Sequence, residues 1–223
     1  MTKRFDGEDW SGAFLHNINF QDAKIREANL DGASFGGYVG SMTVNGIAVW
    51  PLMEAELMRR HPEYAKLKVS TPVGCREALS IVTSQLDETI ARALALPEVK
   101  RHERVDAEWS ATETVRHLVL VIDRWLDHIV RGEAEPSDPI GLPNTADDPI
   151  DPAIDPTFDE ALAAWRVREE RLRTYVADLG AGDLDEKAAR YDIGVHEAMR
   201  VIFSELWSHN RYMARDLTAL EDS

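Results

Sequence analysis

Glu205 and His209 stand four residues apart in FSELWSHNRYMARDL, Phe203 to Leu217. A helix over this stretch stacks their side chains one turn apart on one face. Ile202, Tyr212 and Asp216 share roughly that face, with Phe203 and Met213 flanking it, so it should turn inward. A carboxylate beside an imidazole in a core is costly unless it is paired or ligated. His117 lies in another apolar stretch, WSATETVRHLVLVIDRW, one turn after Glu113. Two ligands from one helix and a third from a facing helix make the kind of site that bundle metalloproteins build. Two nitrogens and one carboxylate leave coordination positions open for water or substrate, which is a catalytic layout. The same residues also fit a plainer arrangement, in which Glu205 and His209 form a hydrogen-bonded pair and His117 is a satisfied core histidine.

The remaining reactive side chains are weaker candidates. His128 falls three turns beyond His117, roughly 16 Å along a helix axis at ~1.5 Å per residue, and is expected at the surface near a helix end. His196 falls on the far side of its helix from Glu205, and His16, His61 and His102 have no partner at ligand spacing. Cys75 sits near a helix start, where the dipole could lower a thiol pKa; the plainer expectation is an inert small residue. Arg211 and Arg215 could clamp a substrate carboxylate or form salt bridges. Trp109, Trp125, Trp165 and Trp207 are expected to pack the helices or line a pocket mouth. The chain has no glycine-rich phosphate loop, nucleophile elbow or zinc-protease motif.

Four helical segments must position the three candidates. Residues 73–95 carry Ala78, Leu79, Val82, Leu86, Ile90, Ala93 and Leu94 at the i, i+3, i+4 spacing of an amphipathic helix. Residues 110–131 open on Ser110 with Glu113 three positions on, a capping box, and residues 157–178 open on Thr157 and Glu160 in the same way. The last helix runs from about Val195 to Leu220, with Gly194 just ahead of it. Between the second and third lies EAEPSDPIGLPNTADDPIDPAIDP, dense in Pro and Asp. A connection of that length in a compact domain is functional or crosses between distant helix ends. The expected fold is mainly α, a four-helix bundle with a long crossover between helices 2 and 3.

The N-terminal segment follows a different rhythm. Phe5, Trp10, Leu15, Phe20, Ile25, Leu30 and Phe35 fall on every fifth residue, and Ala13, Ala23, Ala28 and Ala33 stand two places before four of them. A period of five matches neither a helix nor a simple strand. It is similar to the pentapeptide-repeat pattern, as in EANLD and GASFG, which implies a small β-helical module with Leu, Phe and Ala stacked inside. Repeats this few cannot bury their apolar face alone, so the module is expected to lean on the rest of the chain. An irregular arm with an accidental period is the alternative. Asn45-Gly46 between two β-branched runs marks a hairpin. Residues 51–67 read as a helix that Pro62 breaks or kinks. The predicted organisation is a small β-rich module over residues 1–69 and the bundle over 70–223.

Composition narrows the function classes. The chain has 223 residues, 44% hydrophobic and 29% charged, and 40 acidic against 25 basic residues give a net charge of −15. That balance disfavours nucleic acid and anionic membrane surfaces as partners. One cysteine excludes an intrachain disulfide and a multi-cysteine zinc site. MTKRFDGEDW has no secretory apolar core and no apolar run reaches ~20 residues. A cytoplasmic protein is expected.

The order of WSATETVRHL, a crossover, and then a Glu205–His209 pair leading into NRYMARDL resembles the DinB superfamily of metal-binding four-helix bundles over roughly residues 73–221. That family carries a histidine in a similar motif on its second helix and H-x-x-x-H on its fourth. His117 matches the first ligand and His209 the last, while Glu205 takes the place of the middle histidine. The resemblance implies a divalent metal (zinc, nickel, iron or manganese) and a low-molecular-weight thiol such as mycothiol. It further implies a small-molecule substrate, chemistry like that of thiol-dependent S-transferases or mycothiol-dependent maleylpyruvate isomerase, and a homodimer. Glutamate for histidine adds charge and hardness, which lowers the Lewis acidity of a bound zinc and favours iron or manganese. The competing reading is a non-catalytic ligand-binding or oligomerising bundle whose metal site has degenerated.

Overall fold

The four long bundle helices start where a side chain can satisfy the first turn. The structure, a computed structural model, describes residues 4–15, 18–37, 39–134, 138–143, 151 and 153–222. His16, for which no ligand partner is expected, lies outside them. Asn45 and Gly46 both adopt positive φ, 49° and 80°, and close a hairpin between β1 (Thr43–Val44) and β2 (Ile47–Ala48). Helix α1 (Val49–Arg60) follows directly and stops ahead of Pro62, where the chain tightens into a 3₁₀ turn, Pro62–Leu67. Thr71 caps α2 (Pro72–Ala95) by accepting the Gly74 N–H, and the short α3 (Glu98–Arg101) precedes the second long helix. Capping boxes at Ser110/Glu113 and Thr157/Glu160 open α4 (Ala111–Val121) and α5 (Phe158–Asp178), both as the sequence predicts. The Gly194 N–H is taken up by Glu197 at the start of α6 (Val195–Glu221).

Beyond Val121 the α4 helix widens into π-type turns over Ile122–Val130, and the Arg131 N–H reaches the Leu126 carbonyl five residues back. Around the bundle the order is α2, α6, α4, α5, with α2 closing on α5. The core between them holds Phe158, Trp165, Leu172, Leu118, Ile122, Leu126, Met199, Ile202, Phe203 and Leu206. Tyr64, Leu67 and Val69 also insert into it.

Ion pairs fix how α4 and α5 run. Arg168 meets Asp123 and Arg171 meets Asp127, so both helices advance in the same direction. Two neighbouring helices that are parallel cannot be joined by a tight turn. The chain must return along the bundle, and this is the physical reason for the long Pro- and Asp-rich crossover.

The N-terminal repeats keep their rhythm as turns. Ala13, Ala23 and Ala33 donate to the carbonyls of Trp10, Phe20 and Leu30, and Asp9, Asn19 and Asn29 accept the N–H groups two residues on. Positive φ recurs at five-residue spacing at Gly7, Gly12, Asp22, Glu27, Gly32 and Gly37. Strand pairing among the described residues is confined to the β1–β2 hairpin and an isolated bridge between Lys187 and Gly194. The expectation that the repeats bury their apolar residues inside and lean on the bundle is not met. Phe5, Trp10, Leu15, Phe20, Ile25, Leu30 and Phe35 remain 43 to 64% exposed. So few repeats supply no neighbouring layer to cover the row.

Candidate metal centre

His117 enters the site from α4, and Glu205 and His209 from the adjacent α6. One carboxylate oxygen, Glu205 Oε2, sits between the two imidazoles, 3.1 Å from His209 Nε2 and 3.6 Å from His117 Nε2. The two rings lie 4.5 Å apart between centroids. One ligand atom from each residue falls within 4.8 Å of the others. Bonds of ~2.0–2.2 Å in a tetrahedron separate ligand atoms by roughly 3.4 Å, and the two carboxylate distances bracket that value. The structure therefore brings together all three residues that the sequence singles out.

His117 has unequal surroundings at its two nitrogens. The ring is 3% exposed. Its Nδ1 lies 2.9 Å from the Leu142 carbonyl oxygen, which can only accept, so Nδ1 carries the proton and Nε2 presents a bare lone pair. That Nε2 is buried with no hydrogen-bond partner. A satisfied core histidine would have both nitrogens occupied. One nitrogen held by a carbonyl and the other bare is the arrangement that metal-binding histidines share. The donor set and this orphaned atom fit a divalent ion.

Trp109 roofs the cluster. Its ring stacks on His209 at 24° and 5.7 Å and meets His117 at 4.8 Å. Tyr212 stands edge-on to His209. Side-chain exposure rises from His117 through His209 to Glu205, at 4, 16 and 35%, so the Glu205 side faces the opening.

Burial by itself pushes the Glu205 carboxyl up, but the His209 imidazole hydrogen-bonded to it outweighs this and holds the group below its ordinary value of 4.5. Burial drives the His209 imidazole below its ordinary value, and Glu205 only partly opposes this. At neutral pH the cluster thus offers a carboxylate and a neutral His209 imidazole. A carboxyl whose folded pKa is depressed contributes stability that is complete above its unfolded value and lost as pH falls through the folded one. In metal-free protein, the stability gap between wild type and Glu205→Gln is expected to narrow as pH falls below the ordinary carboxylate range, from about 5 downward. Urea midpoints across that range check this; a gap that stays constant contradicts the carboxylate's role.

The other reactive groups go elsewhere. Glu113 serves the Ser110 cap and pairs with Arg104. Arg211 lies over the Trp207 ring and Arg215 pairs with Asp216. His128, near a helix end as expected, and His196 are half-buried and bonded to the carbonyls of Glu133 and Leu184. Cys75 is fully buried, and burial pushes its thiol up to about 11, opposite to the lowering a helix dipole would give. Sequence reasoning missed Leu142, because a backbone carbonyl in a linker has no residue signature. It placed Trp109 only generally, although its position just ahead of the Ser110 cap is a usable signal.

A helical bundle with a His-Glu-His cluster between two adjacent helices is the class of protein that fold and site define. The model of the DinB superfamily matches residues 80–213, more than half of the chain. The chain belongs to the DinB superfamily. A model of pentapeptide repeats matches residues 4–37 in eight copies. No curated protein and no solved structure matches the chain. Among the described residues no helix is long and apolar enough to cross a membrane.

Proposed function

We propose that the chain is a divalent-metal protein that handles a low-molecular-weight thiol and a small electrophile, as an S-transferase or isomerase. His117, Glu205 and His209 are the ligands in this reading. The observation that carries it is the buried, partnerless Nε2 of His117 beside a carboxylate oxygen that also meets His209. When bound, the ion supplies the charge that lowers the pKa of a coordinated thiol or water. The protein's own groups do the rest. Leu142 holds His117 in one tautomer, Trp109 excludes water from above both rings, and Glu205 stays ionised and admits the substrate on its exposed side. Zinc, nickel, iron and manganese are the candidate ions, with iron and manganese favoured by the carboxylate. Loading the protein with cobalt(II) and adding mycothiol or N-acetylcysteine tests the thiol assignment. A sulfur-to-metal charge-transfer band is expected; cobalt-loaded protein that gives no band with either thiol rules out the thiol and leaves water as the activated group.

The partner in this proposal, besides the small molecule, is a second copy of the chain, and the two-module division at residue 69 belongs to the same reading. At about 200 Å² for a large apolar residue, the exposed apolar residues from Phe5 to Phe35 together present on the order of 700 Å². A standard interface takes about 800 Å² from each partner. A second set of repeats has the same five-residue spacing and so can stack on the first as a further layer. Light scattering on the full chain is expected to show a dimer that Phe20→Glu with Ile25→Glu converts to monomer. A wild type that is monomeric at high concentration, or a variant that stays dimeric, contradicts it.

A further inference from the structure

The crossover holds more than its ends. Arg168 on α5 forks onto Asp123 with Nε–Oδ1 at 2.9 Å and Nη2–Oδ2 at 3.1 Å, and the same Nη2 reaches Asp138 Oδ2 at 3.0 Å. The Asp138 N–H donates to Asp123 Oδ2, and Asp138 Oδ1 accepts the Ile140 N–H. Arg116 Nε donates to the Ile140 carbonyl, and the Leu142 N–H donates to the Arg116 carbonyl. The next group along is the Leu142 carbonyl, on His117 Nδ1. An unbroken series of bonds thus runs from the α4–α5 ion pair through Asp138–Leu142 to the imidazole.

Gly141 lets this segment lie against α4. A Cβ there would stand 3.2 Å from both the Asp138 carbonyl oxygen and Leu120 Cβ, and 3.4 Å from Leu120 Cα. None of those atoms can swing away, and Gly141 has no left-handed φ that would need glycine for another reason. Close approach is its role.

We propose that the Arg168–Asp123–Asp138 clamp and Gly141 are positioning elements that seat the Leu142 carbonyl, fix the His117 tautomer and so present Nε2 as a ligand. This rests on the metal reading for its purpose, but the tautomer is a property of the metal-free chain. Carbonyl and carboxylate partners behind metal-bound histidines set ligand orientation, and their loss costs about 10–100-fold in affinity. Here the partner is delivered by a connection between helices, so the crossover is part of the site.

Long-range ¹H–¹⁵N correlation of the imidazoles in metal-free protein reads the tautomer directly. Wild type is expected to show His117 protonated on Nδ1 alone. Gly141→Ala should give a tautomer mixture and weaken cobalt(II) binding by about 10–100-fold, with helix content unchanged in the far ultraviolet. Asp138→Asn, which loosens the clamp without steric change, should shift both readouts less and in the same sense, and it carries the test if Gly141→Ala does not fold. A pure Nδ1-protonated His117 in both variants, with cobalt affinity within about twofold of wild type, overturns the proposal. A wild type that takes up no cobalt defeats the metal reading instead, and the imidazole spectra then decide the tether alone.

Discussion

Replacing His117 with alanine is expected to lower divalent-metal affinity about a hundred- to a thousandfold, and to cost the metal-free fold about what truncating a buried ring costs, roughly 2–4 kcal/mol. Four-ligand structural zinc sites bind with about 10–16 kcal/mol, or roughly 3–4 kcal/mol per ligand, and each 1.4 kcal/mol is about tenfold. The metal-free protein loses the packing of a buried ring against Trp109 and His209 and one hydrogen bond, Nδ1 to Leu142, worth about 1 kcal/mol, while Nε2 has no hydrogen bond to lose. The two effects separate the competing readings. A buried ligand costs binding as well as packing; a satisfied core histidine would cost stability and leave the affinity unchanged. Titration with cobalt(II), followed by its visible absorption, and thermal melting of the metal-free pair check both. An unchanged affinity with a large drop in melting temperature would place His117 among the packing residues.

The second large effect falls on the ion-pair lattice that joins α4, α5 and the crossover. Arg168 is 12% exposed at the side chain and Asp123 8%. Removing one member of a buried pair leaves the other desolvated without its counter-charge, a loss of about 3–5 kcal/mol. Asp123 would keep Arg171 at 3.7 Å and the Asp138 N–H, so Arg168→Met is expected near the lower end, about 3 kcal/mol. At about 2–4 °C per kcal/mol for a chain of this size, that corresponds to roughly 6–12 °C in melting temperature. Pairing it with Asp123→Leu should recover more than half of the loss, because the unpaired charge is what is costly. Denaturant melts of the single and double variants decide it. A single-variant loss under about 1 kcal/mol would show the lattice to be solvated as a surface pair is.

Much of the bundle was legible because its signals are local. Ser110 with Glu113 and Thr157 with Glu160 state where two helices start, Asn45-Gly46 states a hairpin, and the i, i+4 spacing puts Glu205 and His209 on one face. The crossover's length foretold a return along the bundle, and the parallel ion-pair register of α4 and α5 supplies the reason. What stayed hidden depends on the third dimension. Leu142 acts through a carbonyl that every residue possesses. Cys75 responds to burial, which outweighs its place near a helix start. His128 and His196 find carbonyls across loops that no spacing rule anticipates. The five-residue period named the repeats, yet a period cannot say whether a neighbouring layer exists to cover the row.

Metal analysis by mass spectrometry on tag-free protein, wild type beside His209→Ala, tests the central claim most directly. The His117–Glu205–His209 cluster predicts about one zinc, nickel, iron or manganese ion per chain in wild type and little or none in the variant. Wild-type protein that stays empty after incubation with each of those ions would contradict it, and the Glu205–His209 contact would then be a hydrogen bond within a helix and nothing more.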